Sequence, residues 1–349
     1  MGATSTTQIP HSTSLESYIL PDLLRLSSPF KASMNPHWAT TASESSAWFS
    51  SYSIFSDQEL TEFAVCKVEL LVAYAYPHAN YETFRTCCDF MNLIFAIDEI
   101  SDMQNGEDAG ETGDVFLNAL RDAEWTDGSA LAEMTRDFRA RFLRSAGPQS
   151  FRRFLKVSED YIDCVTKEAG YRERSQILDM ESFKHLRRDN SGVPLMLGLL
   201  EYTLGIDLPD VVFEDTALSR IYWAAVDMVW WANDVYSYKV EQAKGLAGNN
   251  ILSVLMAAKN IDLQDASDYV GDVYAGLMKE YTEAKAELVS KSFGSKELDA
   301  AVKKYVDKME NWPIGNLEWS FASMRYFGSQ SGEIKRTRTV MLRPQDVLA

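Results

Sequence analysis

Phe84-Arg85-Thr86-Cys87-Cys88-Asp89-Phe90-Met91-Asn92-Leu93-Ile94-Phe95-Ala96-Ile97-Asp98-Glu99-Ile100-Ser101-Asp102 reads as a helix that is apolar around almost its whole circumference. Phe84, Cys88, Met91 and Phe95 recur at three- and four-residue steps, and Leu93, Ile94 and Ile97 cover other sides. A helix apolar on every side belongs in the middle of a protein, with other helices around it. Ala217 to Lys244 has the same character, with Trp223, Val226, Val229, Trp230 and Trp231. Gly315 to Phe327 reads as a third, aromatic-rich helix. Central helices ringed by others make a large all-α bundle.

The rest of the chain agrees. From about Phe55 to Phe327 apolar residues keep the helical spacing, and alternating β-branched runs are missing, so strands are not expected. Glycine and proline clusters at 105–113, 147–148, 208–209 and 245–249 read as connections between helices. No Pro/Gly/Ser-rich linker divides the 349 residues. We therefore expect a flexible arm over 1–25, docked at its end through Tyr18, Ile19, Leu20 and Leu23. One helical domain over 26–328 and a tail over 329–349 follow.

A formal net charge of −17 disfavours nucleic acid as a partner, because phosphate backbones would be repelled. The four cysteines, two of them adjacent at Cys87-Cys88, form neither a disulfide framework nor a metal-binding spacing, which favours a cytoplasmic location. No apolar run is long enough to span a membrane. Gly2 lies in a short N-myristoylation pattern, of a kind that arises easily by chance.

Two constellations carry chemistry. Asp98 and Asp102, four residues apart, project from one helix face. They stand at the C-terminal end of a buried helix, where the dipole is already negative and Glu99 adds a third acid. Either this is a solvated acidic helix end, or a divalent cation offsets the charge; Mg²⁺ takes a few carboxylates with waters and phosphate oxygens. In the second, Asn233, Ser237 and Glu241 fall at i, i+4 and i+8, so three oxygens line one helical stripe. This is either a stripe facing water or a grip on one small, hard cation. It begins where the preceding Trp- and Val-rich turns call for burial.

Asp98-Glu99-Ile100-Ser101-Asp102 resembles the aspartate-rich motif of class I terpene synthases, and Asn233-Asp234-Val235-Tyr236-Ser237-Tyr238-Lys239-Val240-Glu241 resembles their second metal motif. Leu186-Arg187-Arg188-Asp189-Asn190-Ser191-Gly192 looks like their diphosphate-sensing arginine with its helix break. Trp319-Ser320 with Arg325-Tyr326 looks like their closing segment. With Asn35-Pro36-His37 and Tyr76-Pro77-His78, the flavour is that of fungal, mushroom-type sesquiterpene synthases over roughly residues 35 to 328.

The resemblance implies a helical bundle around a central active-site cavity, and three Mg²⁺ ions bridging the two motifs and the substrate diphosphate. Asp98 would be the main ligand of the first motif and Asp102 a lesser one; Asn233, Ser237 and Glu241 would hold another ion. Arg187, favoured over Arg188 by its spacing to Asn233, would bind diphosphate with Arg325 and Tyr326. Phe95 and Trp319 would face the carbocation. The expected substrate is farnesyl diphosphate, cyclised by 1,11-closure to a humulyl or protoilludene-type product. The alternatives are an acyclic alcohol such as nerolidol or linalool, or an isoprenyl diphosphate synthase. The protein would be a monomer or homodimer without stable membrane insertion. Lys239 stands one place earlier than the lysine of many relatives, about 100° round the helix, and receives no diphosphate role.

Overall fold

Asn80 starts the first of the central helices: its side chain accepts from the Thr83 N–H at 3.0 Å, and Tyr81–Asp102 follows. Asp215 starts the second, accepting from the Ala217 N–H at 2.8 Å ahead of Thr216–Ala243. These come from a computed structural model that describes residues 17–174, 176 and 178–343. Phe84, Cys88, Met91, Trp230 and Trp231 are all buried, as their all-round apolarity requires. Leu263–Val289 packs along Thr216–Ala243, and Asn311–Ala322 packs on both Thr216–Ala243 and Val68–Ala75. The protein is all-α, and its buried side chains merge into one hydrophobic core. Asn35 ties the two proline motifs together, donating to the main-chain oxygens of Tyr76 and Ala79 at 2.8 and 2.9 Å.

The sequence reading is corrected in three places. The glycine-rich stretch read as a connection is the start of a helix, Gly106–Arg121, capped by Asn105. Its glycines are there for contact with Pro148–Glu173. A Cβ on Gly106 would meet the Gly170 Cα at 3.3 Å, and one on Gly113 would meet Ile162 Cγ2 at 2.2 Å. Second, the aromatic helix runs over Asn311–Ala322, and Ser323 turns to extended backbone. Trp319 is thus helical, while Arg325 and Tyr326 lie on the turn beyond.

Third, a strand pair exists where none was expected. Ser17–Ile19 pairs antiparallel with Thr339–Met341, setting Tyr18 opposite Val340. Both inward residues are buried, whereas Ile19 points outward and is 48% exposed. Ser331–Thr337 is helical too, so residues drawn as arm and tail form one clasp. The Gly2 pattern lies outside the described residues. Among the described residues all four cysteines are free and buried, and no helix is long and apolar enough to cross a membrane.

Candidate active site

Asp98 and Asp102 close one helix, and Arg187 stands on the last turn of Met180–Asn190. Asn233, Ser237 and Glu241 occupy the last three turns of Thr216–Ala243, and Arg325 and Tyr326 lie just past Asn311–Ala322. Several helices thus converge on one cavity of about 830 Å³. Phe95, Asp98, Asp102, Arg187, Asn233, Ser237, Glu241, Trp319, Arg325 and Tyr326 all line it. Arg188 does not. It turns away to make a two-point pair with Asp227 at 2.8 and 2.6 Å, its guanidinium 5.0 Å from the Trp223 ring. Arg187 is drawn inward by Asp234 and Asn233, and its helix Met180–Asn190 stops just before Gly192, which takes a left-handed φ of +70° that glycine adopts freely. Ser191 and Gly192 line the cavity beside it.

The arginine is held on three sides. Its Nε and Nη2 donate to Asp234 Oδ1 at 3.0 and 2.8 Å, its Nη2 also to Asn233 Oδ1 at 3.0 Å, and its Nη1 to Asn190 Oδ1 at 3.1 Å. Asn233 in turn donates to the Tyr326 hydroxyl at 2.7 Å. Across the cavity, Arg325 Nη1 lies 3.1 Å from Cys66 Sγ and 3.8 Å from Glu99 Oε1, with the guanidinium 5.1 Å from the Phe95 ring. Trp319 is pinned by its N–H, which donates to the main-chain oxygens of Cys66 and Lys67 at 2.8 and 3.0 Å.

Acids crowd the same space. Burial, then the charge of Asp102, raise the Asp98 carboxyl well above its usual range. Burial, then Asp234, raise Glu241 to about 7. Glu168, between Asn190 and the 245–249 turn, is raised by burial as well. Asp102 is exposed and pairs with Arg172 at 3.1 Å. Carboxylates lifted by desolvation and by one another mark a place short of positive charge. Among the described residues, no three His, Cys, Asp or Glu stand close enough to hold a metal by themselves. The donor set therefore fits a hard cation that uses the Asn233 and Ser237 oxygens with Glu241, and that completes its shell with oxygens from a ligand. Lys239 is buried away from the cavity lining and reaches Gln330 Oε1 at 3.0 Å.

Residues 89–280, more than half the chain, match the family described as terpene synthase family 2, C-terminal metal binding. The chain belongs to the terpene synthase family. Linoleate 10R-lipoxygenase COP4 of Coprinopsis cinerea is 50% identical over 331 residues, 95% of this chain and 94% of that one. Bifunctional terpene synthase Agr4 of Cyclocybe aegerita is 49% identical over 328 residues, 94% of each chain. The first name describes a different chemistry and belongs to that protein; the matched family and the second relative describe terpene synthesis. In fold, this terpene synthase superposes on α-eudesmol synthase with a TM-score of 0.77 over 84% of this chain and 98% of that one, at 17% identity.

Sequence reasoning passed over Asp234, Glu168, Arg172 and Asn190 as site residues. Glu168 and Arg172 were within reach, since they stand four apart near the end of one helix and share a face. Asp234 carried no such signal, because its partner Arg187 is 47 residues away.

Proposed function

We propose that this terpene synthase binds farnesyl diphosphate, ionises it and cyclises the carbocation, by 1,11-closure in the reading adopted above. The observation that carries this is the division of one cavity. Arg187, Arg325 and Tyr326 gather at the acidic motifs, while Trp230, Trp312, Val229 and Met91 give the remaining wall an apolar character. Arg325 suits a two-point grip on diphosphate oxygens. Arg187, its Nε and Nη2 engaged by Asp234 and Asn233, would offer its charge and a remaining Nη1 hydrogen. Both would hold the charge that gathers on the leaving group. Asp98, Asn233, Ser237 and Glu241 would hold Mg²⁺, with Asp102 released from Arg172 to join them; three ions are expected. When bound, the cations neutralise the diphosphate and favour its departure. The apolar wall excludes water from the cation left behind, and aromatic faces offset its charge. Phe95, half-buried with its ring 5.1 Å from the Arg325 guanidinium, and Trp319, buried with its ring against Tyr326, both line this cavity and would face the substrate cation.

The test is incubation of purified protein with farnesyl diphosphate and Mg²⁺, followed by gas chromatography. A cyclic sesquiterpene supports the proposal, and its skeleton reports the closure. A longer prenyl diphosphate would indicate chain elongation, and an acyclic alcohol would remove the cyclisation step. Asn233→Ala and Glu241→Ala should each abolish turnover while the protein still melts cooperatively; near-normal turnover in either would overturn the ligand assignment.

A further inference from the structure

We infer that Asn250 is a positioning residue for Glu241 and Ser237, and through them for the cation they would share; this rests on the function proposed above. Asn250 is fully buried just beyond the turn that follows the Asn233 helix. Its Oδ1 accepts from the Leu252 N–H at 2.9 Å, which starts the helix Ile251–Lys259. Its Nδ2 reaches back to Glu241 Oε2 at 2.9 Å and to the main-chain oxygen of Asp234 at 2.8 Å, with Ser237 Oγ at 3.5 Å.

A helix cap needs only the oxygen. Serine and aspartate cap about as well as asparagine, so capping leaves the nitrogen unexplained. That nitrogen is fixed by a carbonyl of the very helix that carries Glu241, and it donates to the Glu241 carboxylate. It therefore sets the orientation of that carboxylate. Outer hydrogen bonds of this kind orient ligand carboxylates, and their loss costs about 10–100-fold in metal affinity. The same contact joins the 245–249 turn to the site: Asn249 and Gly248 line the cavity, and Asn249 lies 3.4 Å from Glu168.

The experiment is thermal unfolding of the full chain with Mg²⁺ and inorganic diphosphate, alone and together, then a Mg²⁺ titration at fixed diphosphate. Ligands that complete each other's shell bind cooperatively, so their joint shift should exceed the sum of the separate ones. Asn250→Ser and Asn250→Asp both retain the capping oxygen. Asn250→Ser should melt near wild type without ligand and Asn250→Asp lower, since it buries a like charge. Each should need about 10-fold more Mg²⁺ for half the joint shift. Asp should be the worse of the two, because it turns a donor into a like charge facing Glu241. An unchanged Mg²⁺ requirement in both would overturn the inference. So would a loss of ligand-free stability with an unchanged requirement, which would reduce Asn250 to a cap. Glu241→Ala separates the two levels. If it keeps the full joint shift, the metal reading itself fails. If it loses the shift while both Asn250 variants keep it, only the positioning role fails.

Discussion

Arg187 spends two donors, Nε and Nη2, on a single oxygen of Asp234, at 3.0 and 2.8 Å. The other oxygen of that carboxylate accepts the Ile251 N–H at 3.0 Å. One buried acid thus joins three elements: its own helix, the helix that presents the inward arginine, and the start of Ile251–Lys259.

Removing that acid should be felt in stability. Asp234→Ala leaves the Arg187 charge without its partner and the Ile251 N–H without an acceptor, and should cost about 3 kcal/mol. Urea unfolding measures it. Arg187→Ala placed on top of Asp234→Ala should add much less than it does alone, since the two share one interaction. Strictly additive losses would contradict the coupling.

A change at Arg187 that keeps its charge should act on turnover instead. Arg187→Lys supplies one point charge in place of a planar fork. Product formation at saturating substrate should fall by about 100-fold, with a smaller stability loss than Asp234→Ala. Turnover within a few-fold of wild type would remove Arg187 from diphosphate binding.

Substitutions can divide the hydrogen bonds that Trp319 makes from the cation-facing role proposed for its ring. Trp319→Phe keeps an aromatic face but leaves the Cys66 and Lys67 carbonyls without their shared donor, and should destabilise by about 1–3 kcal/mol. Trp319→Leu should also alter the product mixture or release acyclic alcohols. Identical products in identical ratio from the Leu variant would show that the ring does not face the cation.

Gly113 tests the close helix contact. A Cβ there falls 2.2 Å from Ile162 Cγ2, on a β-branched side chain that cannot swing aside. Gly113→Ala should lower stability by about 2 kcal/mol, and Ile162→Ala should recover part of that loss. An Ala variant as stable as wild type would show that the two helices are not so tightly opposed.

His78 supplies a pH dependence. Burial, then the positive charges of Lys308 and Lys304, lower its imidazole to about 4. The unfolded chain takes up a proton near pH 6.5 that the folded state refuses. The group's contribution is therefore fully present above about pH 6.5 and is lost as pH falls toward 4. His78→Gln can still reach Thr203, the His78 Nε2 partner at 3.2 Å. Its melting temperature should fall less than that of wild type between pH 6.5 and 4. Parallel profiles would rule the effect out.

The central helices were legible because a helix apolar on every side has one place to go, and the two polar stripes that line the cavity were legible because i, i+4 spacing survives any tertiary arrangement. Gly106 to Gly113 misled because composition treats glycine as a turn former, whereas here the missing side chain is what Ile162 and Gly170 need. The strand pair was invisible: each partner is three residues long, has a single inward side chain, and finds the other more than 300 residues away. Arg187 and Arg188 differ in sequence only by position. Their roles separate through Asp234 and Asp227, two acids about two turns apart along one face of another helix.

The clasp at the chain's edge bears on where this enzyme can be cut. The Tyr18 hydroxyl donates to the Val235 carbonyl at 2.9 Å, on the turn between Asn233 and Ser237. A truncation that begins after Tyr18 would strip that hydroxyl from the helix holding both residues. It would also leave Thr339–Met341 as an unpaired edge open to other chains. Trimming from the front is thus surgery on the helix of the second motif, and a tag or fusion partner belongs ahead of Ser17.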